Sequence, residues 1–307
     1  MAKIAFVFPG QGSQYVGMAK DFSDAAPGAR EMIARADALL GIALSSICFN
    51  GPEEELRQTR NTQPAIFLHS VVATRFVTSC KADMVAGHSL GEYSALVAAK
   101  AIAFEDALRL VRLRGELMQR AGEQQKGTMA AVVGLTADAV DAMCKEASAA
   151  GVVQPANFNS PGQIVISGSI EGVRKAMELA KLGGAKLVKE LVVSGAFHSP
   201  LMQSAREGLK EALDQTAIHN ASIPVYANVT AEPVTAAAEI RDLLFRQLTT
   251  PVRWEQTVRN MVRDGATHFV EIGPGKVLQG LVKRTEPGVT TAGVDKFADI
   301  ATLETAR

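Results

Sequence analysis

An excess of charge of either sign is missing from this 307-residue chain: 32 Lys and Arg stand against 32 Asp and Glu, a formal net charge of zero. No global field draws it to nucleic acid or to an anionic membrane, and only local patches are left for such contacts. Cysteine is scarce. Cys48, Cys80 and Cys144 are odd in number, far apart and without C-x-x-C spacing. That argues against a disulfide frame or a zinc site and for reduced, buried thiols. No apolar run approaches the length of a membrane span. Met1-Ala2-Lys3-Ile4 leads straight into a strand-like segment, so no signal peptide is expected. Internal repeats and low-complexity segments are absent as well. These absences predict a soluble, cytoplasmic protein. With 47% hydrophobic and 21% charged residues the composition is ordinary for a globular chain, and the length suffices for one large domain or a large one plus a small one.

What the chain does carry is a glycine-flanked serine. Met84-Val85-Ala86 runs into Gly87-His88-Ser89-Leu90-Gly91, and an Ala/Leu-rich helical segment follows to about Ala99. This is G-x-S-x-G between a strand and a helix, the setting of a nucleophile elbow. A serine hydroxyl attacks well only when it is exposed, clamped and next to a base. The tight turn lifts Ser89 clear of the backbone and leaves little room beside it, hence the glycines. N–H groups left unpaired at the helix start are available to a developing oxyanion. The five-residue pattern alone is weak, and a plain strand-to-helix connection with an incidental serine is the alternative. The strand–turn–helix context favours the elbow.

Upstream, Lys3–Phe8 reads as a strand that breaks at Pro9-Gly10-Gln11-Gly12-Ser13-Gln14. A nucleotide loop fails here. Tyr15 occupies the third-glycine position of a dinucleotide fingerprint, and Met18-Ala19 follow Gly17 where a P-loop needs Lys and Ser or Thr. The loop then offers backbone donors and the amides of Gln11 and Gln14 to something polar, or is an ordinary turn. Helices are predicted over 28–40 and 63–78, with Pro64 in the first turn of the second. Gln63 lies in the polar cluster Asn61-Thr62-Gln63-Pro64, suited to a cap or a site. Residues 104–121 form a strongly periodic helix whose apolar face is marked by Ala107, Leu110, Val111, Leu117 and Met118. Arg114 falls on that face, whereas Arg109, Arg112 and Glu116 lie elsewhere, in solvent. An arginine in a core stripe is costly unless paired, so Arg114 calls for an anion: a structural salt bridge, or a carboxylate on a substrate.

After a polar, Gly-containing hinge at 122–126 the pattern changes. Strands at 129–134, 152–157, 163–169 and 186–193 alternate with helices at 136–147, capped by Thr136, and 170–182. This β-α-β-β-α-β order within about 65 residues is the ferredoxin-like unit. The larger α/β pattern then resumes, with helices over 200–215, 239–249 and 252–264. Strands at 224–229 and 267–272, Gly273-Pro274-Gly275, a helix to Arg284 and a strand near 290–294 complete it. The expected fold is α/β. A large α/β-hydrolase-like domain with a parallel sheet and the elbow spans 1–125 and 195–307, and a small ferredoxin-like domain is inserted over 126–194.

A serine nucleophile needs a base, and there are five histidines. His69 lies inside a helix, His219 in a polar linker, and His268 heads a buried strand. His88 adjoins Ser89, but neighbours across a turn point apart, so it is better placed to line a pocket. His198, in Ser194-Gly195-Ala196-Phe197-His198-Ser199-Pro200, stands where the small domain returns to the large one, facing the cleft in which ligand sites concentrate. No Asp or Glu is distinguished as its orienting partner. A second anion beside a substrate carboxylate would repel it. A backbone carbonyl fixes the tautomer without adding charge, so a Ser–His dyad is expected.

Together these residues resemble the malonyl-CoA:acyl carrier protein transacylases, the stand-alone acyltransferases of bacterial type II fatty acid synthesis. The resemblance is carried by Phe8-Pro9-Gly10-Gln11-Gly12-Ser13-Gln14, Gly87-His88-Ser89-Leu90-Gly91-Glu92, Arg114 in its helix and Gly195-Ala196-Phe197-His198-Ser199. Asn157 in Ala156-Asn157-Phe158-Asn159-Ser160-Pro161-Gly162-Gln163 and Gln247 in Gln247-Leu248-Thr249-Thr250-Pro251-Val252 add to it. The motifs keep the family's order over nearly the whole chain. The resemblance implies that Ser89 is the acylated nucleophile, His198 its base, the N–H groups of Gln11 and Leu90 the oxyanion hole, and Arg114 the partner of the malonyl carboxylate. It also implies that the Gln247 carbonyl holds His198, that Gln63, His88 and Asn157 line the pocket, and that Phe197 and Leu90 are the malonyl-selective forms.

The implied reaction is ping-pong transfer from malonyl-CoA through malonyl-serine to the thiol of holo acyl carrier protein. No metal or organic cofactor is implied, and the expected state is a monomer. A serine esterase or thioesterase uses the same elbow. Arg114 and the inserted unit favour transfer. A non-catalytic carrier-binding subunit is disfavoured by the Ser89/His198 pair, and a discrete acyltransferase of a polyketide pathway stays open.

Overall fold

The computed structural model describes residues 3–305. In chain order, the first half comprises β1 (Lys3–Phe8), α1 (Lys20–Ala25), α2 (Pro27–Leu40), α3 (Leu44–Asn50), α4 (Glu53–Arg57), α5 (Thr59–Phe76), β2 (Met84–Gly87), α6 (Gly91–Ala98) and α7 (Phe104–Gln124). There follow β3 (Gly127–Val133), α8 (Ala137–Ala147), β4 (Val153–Ser160), β5 (Gln163–Ser169), α9 (Ile170–Leu182) and β6 (Leu187–Glu190). A 3-10 turn (Pro200–Met202) leads into α10 (Gln203–Gln215), β7 (Val225–Tyr226), β8 (Pro233–Val234), α11 (Ala237–Gln247) and α12 (Trp254–Arg263). Last come β9 (Ala266–Ile272), α13 (Val277–Thr285), β10 (Thr290–Val294) and α14 (Asp299–Thr305).

Six strands form one mixed sheet in the order β10-β9-β1-β2-β7-β8, parallel throughout except for the antiparallel edge pair β7–β8. Successive side chains of a strand point to opposite faces, and β1 divides its residues accordingly. Phe6 and Phe8 enter the larger core with α5 and α7 residues, while Ala5 and Val7 enter a second core beneath α12 and α13. A strand covered on both faces must be apolar throughout, which is why Lys3–Phe8 and Met84–Gly87 read as continuous apolar runs. The register sets Phe8 beside Gly87. The loop after β1 and the turn after β2 therefore leave side by side at the carboxyl edge of the sheet, where open α/β sheets bind ligands.

Residues 127–190 build a separate antiparallel sheet in the order β4-β5-β3-β6, with α8 and α9 over its own core of Ala130, Val132, Ile164, Ile166 and their neighbours. Both helices start on side-chain caps, the first of them predicted: Thr136 Oγ1 accepts from Ala139 N and Ser169 Oγ from Gly172 N, each at 3.2 Å. The two sheets are tied together. Asn157 of β4 pairs in parallel with Val252, Phe158 N donates to Val252 O at 2.9 Å, and Val252 N donates to Ala156 O at 2.8 Å.

Several expectations need correction. Helix α5 starts at Thr59, not at 63, so Pro64 lies inside it rather than in its first turn. A proline there has no N–H for the carbonyl one turn back. Arg112 fills the gap: its Nη1 donates to Arg60 O and to Asn61 Oδ1, both at 2.9 Å. Arg112 is thus half-buried across α5 and not a solvated arginine. Arg112→Ala is expected to lower stability by about 0.5–1.5 kcal/mol, the net contribution of a hydrogen bond whose acceptor water can reach, read from urea unfolding; a change within error would refute this bracing role. The hinge at 122–126 is instead mostly the last turn of α7. Gly122 serves close packing there, since a Cβ would lie 2.1 Å from Ser194 O. The last strand of the small sheet stops at Glu190, short of 193, and His268 is exposed on β9. Helices α1, α3 and α4 had no periodic signal in the sequence, being too short to show one.

Candidate active site

Ser89 sits between β2 and α6 with φ +52°, a left-handed conformation that non-glycine residues seldom take. The turn is held from three sides. His88 N donates to Phe8 O at 2.9 Å, Ser89 N to Asn228 Oδ1 at 2.6 Å, and Asn228 Nδ2 to Gly87 O at 2.6 Å. Gly91 is required by the packing, because a Cβ would lie 2.1 Å from Phe8 O.

Two groups converge on the hydroxyl. His198 Nε2 lies 2.8 Å from Ser89 Oγ, and Arg114 Nη2 donates to the same oxygen at 3.1 Å. His198 also has positive φ, +55°. Its Nδ1 donates to the main-chain carbonyl of Gln247 at 2.9 Å, which leaves Nε2 unprotonated and able to accept from the serine. Burial first, and then the Arg114 charge, push the imidazole pKa down to about 3. Arg114 is fully buried, and the acceptors of its hydrogen bonds among the described residues are all neutral. Besides Ser89, Nη1 donates to Gln63 Oε1 at 2.7 Å and Nη2 to Gln247 Oε1 at 2.9 Å, while Nε has no partner among the described residues. The guanidinium stays charged despite burial, so the site holds a cation with spare donor capacity next to a serine and a neutral histidine.

A family profile for the acyl transferase domain matches residues 5–298. The malonyl CoA-acyl carrier protein transacylase of Bacillus subtilis (strain 168) is 48% identical over 309 residues, covering 100% of this chain and 96% of the relative. The chain belongs to this acyltransferase family. Among solved structures, the acyl-carrier-protein S-malonyltransferase of Burkholderia pseudomallei 1710b superposes with TM-score 0.94 at 45% identity, over 98% of this chain and 99% of that one. A malonyl-transacylase solved in complex with its type II PKS acyl-carrier protein gives TM-score 0.96 at 41% identity, with 100% of both chains covered.

In this family member the other singled-out residues lie around one cavity of about 120 Å³, lined by Gln11, Gln63, His88, Asn157 and Phe197 together with Ser89 and His198. Gln63 is divided between Arg114 and Met118, its Nε2 lying 3.2 Å from Met118 Sδ. Gln11 Nε2 reaches Thr59 Oγ1 at 3.4 Å, while Gln11 Oε1 and Asn157 Oδ1 are buried without a partner among the described residues. The main-chain N–H groups of Gln11 and Leu90 likewise make no hydrogen bond among the described residues. His88 is turned away from the serine: its Nε2 bonds Asn159 Oδ1 at 2.9 Å and its ring lies 5.7 Å from that of Trp254.

Sequence reasoning missed two residues. Asn228 clamps the serine turn from 139 positions away, a contact no local pattern announces. Glu92, next to the elbow glycine, is buried, and its Oε2 accepts from Asn228 N at 3.0 Å and from Gln247 Nε2 at 2.8 Å. Its signal was present, the one charged side chain of the short helix α6, in its first turn, but such a residue reads as an ordinary helix-start acid. Gln247 contributes its amide as well as the carbonyl.

The buried titrating groups give a pH signature. Burial lowers the pKa of His69 to about 4, of His198 to about 3, and also that of His88. Each therefore binds more protons when unfolded, so its contribution is full above the ordinary histidine pKa and is lost as pH falls below it. Burial raises Glu92 and Glu271 to about 7. These two oppose the trend, because the folded state holds the extra proton between the ordinary carboxyl pKa and about 7. The thermal midpoint is expected to change little from pH 7 to about 5.5 and to fall steeply below about 5, where the histidines act almost unopposed. A midpoint that rises on acidification to pH 4 would contradict this assignment.

Proposed function

We propose that the chain transfers the malonyl group of malonyl-CoA to the phosphopantetheine thiol of holo acyl carrier protein through a malonyl-Ser89 intermediate. The observation that carries this reading is the meeting of a neutral His198 and a cationic Arg114 on one hydroxyl, Ser89 Oγ, at 2.8 and 3.1 Å. A hydrolase of neutral esters gains nothing from a buried arginine beside its nucleophile. A transferase for an acyl group that ends in a carboxylate does.

In the first half-reaction His198 Nε2 takes the Ser89 proton as Oγ attacks the thioester carbonyl. The N–H groups of Gln11 and Leu90, free of other partners among the described residues, receive the oxyanion. Its collapse expels the CoA sulfur, which takes the proton back from His198 and leaves malonyl-Ser89. In the second half, the carrier thiol gives its proton to His198 and attacks, and Ser89 leaves with that proton. Arg114 holds the malonyl carboxylate throughout. An apolar acyl chain would leave the guanidinium without a partner, which is the basis of selection. The Gln247 carbonyl holds the imidazole without adding a second anion near that carboxylate. Gln63 presents Arg114, and His88, Asn157 and Phe197 shape the cavity, Phe197 limiting it to the malonyl size. A relative bound to a type II PKS acyl-carrier protein supports a carrier protein as acceptor.

We read the architecture as an α/β-hydrolase-like domain over 1–125 and 195–307 with an inserted ferredoxin-like domain over 126–194. The small sheet's order β4-β5-β3-β6 supports this. The working form is a cytoplasmic monomer in fatty acid synthesis; among the described residues no helix is long and apolar enough to cross a membrane. The test is intact mass after mixing with malonyl-CoA, then a chase with holo acyl carrier protein. A malonyl adduct that passes to the carrier faster than to water is expected. Loss mainly to water would make the protein a thioesterase, and absence of any adduct would end both enzyme readings.

A further inference from the structure

The buried carboxylate behind the elbow has no part in the steps above, yet the two residues it bonds, Asn228 and Gln247, hold the groups that do. Glu92 Oε2 receives two hydrogen bonds: one from the backbone N–H of Asn228, whose side chain holds the Ser89 turn, and one from Gln247 Nε2. The same Nε2 donates to the Ser89 carbonyl at 3.0 Å, while Gln247 Oε1 accepts from Arg114 and its main-chain carbonyl accepts from His198. We propose that Glu92 is a positioning residue for acyl transfer, fixing the direction of the Gln247 amide and so the approach of Arg114 to the substrate carboxylate. This rests on the function proposed above.

The argument is one of donors and acceptors. An amide has one donor end and one acceptor end and can be turned over with little change of shape. Facing Arg114, a pure donor, it serves only when its oxygen points there. Glu92 makes that orientation obligatory, because its oxygen and the Ser89 carbonyl both need a donor from the opposite end. Above about pH 7, where Glu92 is ionised, the guanidinium is thereby joined to a buried anion through a neutral amide, cation to Oε1 and Nε2 to carboxylate. Arg114 keeps its charge in an apolar helix face without a direct ion pair that would occupy the donors the substrate needs. A carboxylate in direct contact would compete with malonate; one set back behind an amide does not.

The experiment measures burst acylation of Ser89 by malonyl-CoA and by acetyl-CoA, with the thermal midpoint as control. Glu92→Leu removes the acceptor and is expected to slow malonyl acylation at least 30-fold, with the malonyl-over-acetyl ratio of kcat/KM falling at least 10-fold. Glu92→Gln should restore that ratio to within threefold of wild type, because the immovable Asn228 N–H holds its amide oxygen in the carboxylate's place. In a Gln247→Ala background, Glu92→Leu should change the ratio by less than threefold, since the relay is already cut. A merely structural residue would lower the midpoint and leave the ratio alone. An unchanged ratio in Glu92→Leu, or full additivity with Gln247→Ala, overturns the proposal. If the leucine variant does not fold, Glu92→Asp withdraws the oxygen by one methylene, and its ratio decides in the same way. Wild type without a malonyl adduct sinks the functional reading itself, whereas an adduct with an unaltered ratio sinks only the role of Glu92.

Discussion

Ser89→Ala is expected to take up no malonyl group from malonyl-CoA, and transfer to the carrier should fall roughly 10⁴-fold or more, the scale on which deleting a serine nucleophile acts. The methyl group has no lone pair to attack the thioester, and in the proposed mechanism no other nucleophile replaces it: His198 Nε2 acts there as the base, and Arg114 only donates. The fold should survive. Alanine and serine face the same strain at φ +52°, and the turn is held by backbone bonds to Asn228 and Phe8 that the substitution leaves in place. Losing the Oγ bonds changes stability by about 1 kcal/mol. Intact mass and a thermal melt of the same sample check both halves. A persistent adduct on the folded variant would place the acyl group elsewhere and refute the assignment of Ser89.

The second large effect belongs to Arg114→Ala, and it should depend on the substrate. Malonyl acylation is expected to fall on the order of 10²–10³-fold, the kinetic equivalent of about 3–4 kcal/mol lost when one member of a buried charge pair is removed. Acetyl acylation should fall far less, because an acetyl group has no carboxylate to lose its partner. Stability is subject to opposing terms. Removing a fully buried guanidinium relieves its desolvation, yet it orphans Gln63 Oε1 and Gln247 Oε1 and opens a cavity. Burst kinetics with the two thioesters separate selection from general damage. Equal losses for both substrates would show that Arg114 braces the site rather than reading the acyl group.

The residues that could be read from the sequence are those whose chemistry is local. Ser89 announced itself through its two glycines, Arg114 through its place in an apolar stripe, and His198 through the segment joining the two sheets. Asn228 and Glu92 were illegible for opposite reasons. Asn228 depends on a register across the sheet, β2 beside β7, that no short pattern encodes. Glu92 is local, but its meaning comes from burial beneath Gln247, 155 residues away. The fold shows the same division. The continuous apolar strands β1 and β2 were readable as runs, the long amphipathic α7 by its period, and the first helix of the small sheet by its Thr136 cap. Pro64 misled, because first-turn placement is the local rule for a proline and only the tertiary contact from Arg112 makes an interior site tolerable.

The pairing of β4 with Val252 matters mechanically. Residues 156–158 belong to the small sheet yet are laced to the segment that follows α11, and Gln154 Nε2 donates to the carbonyl of His198 itself at 2.8 Å. A load applied to the small sheet is transmitted to the His198 main chain through the Gln154 amide rather than absorbed at a joint. The two halves of the cleft then behave less like jaws than like two walls of one casting, and the 2.8 Å approach of His198 Nε2 to Ser89 Oγ is held from both of them.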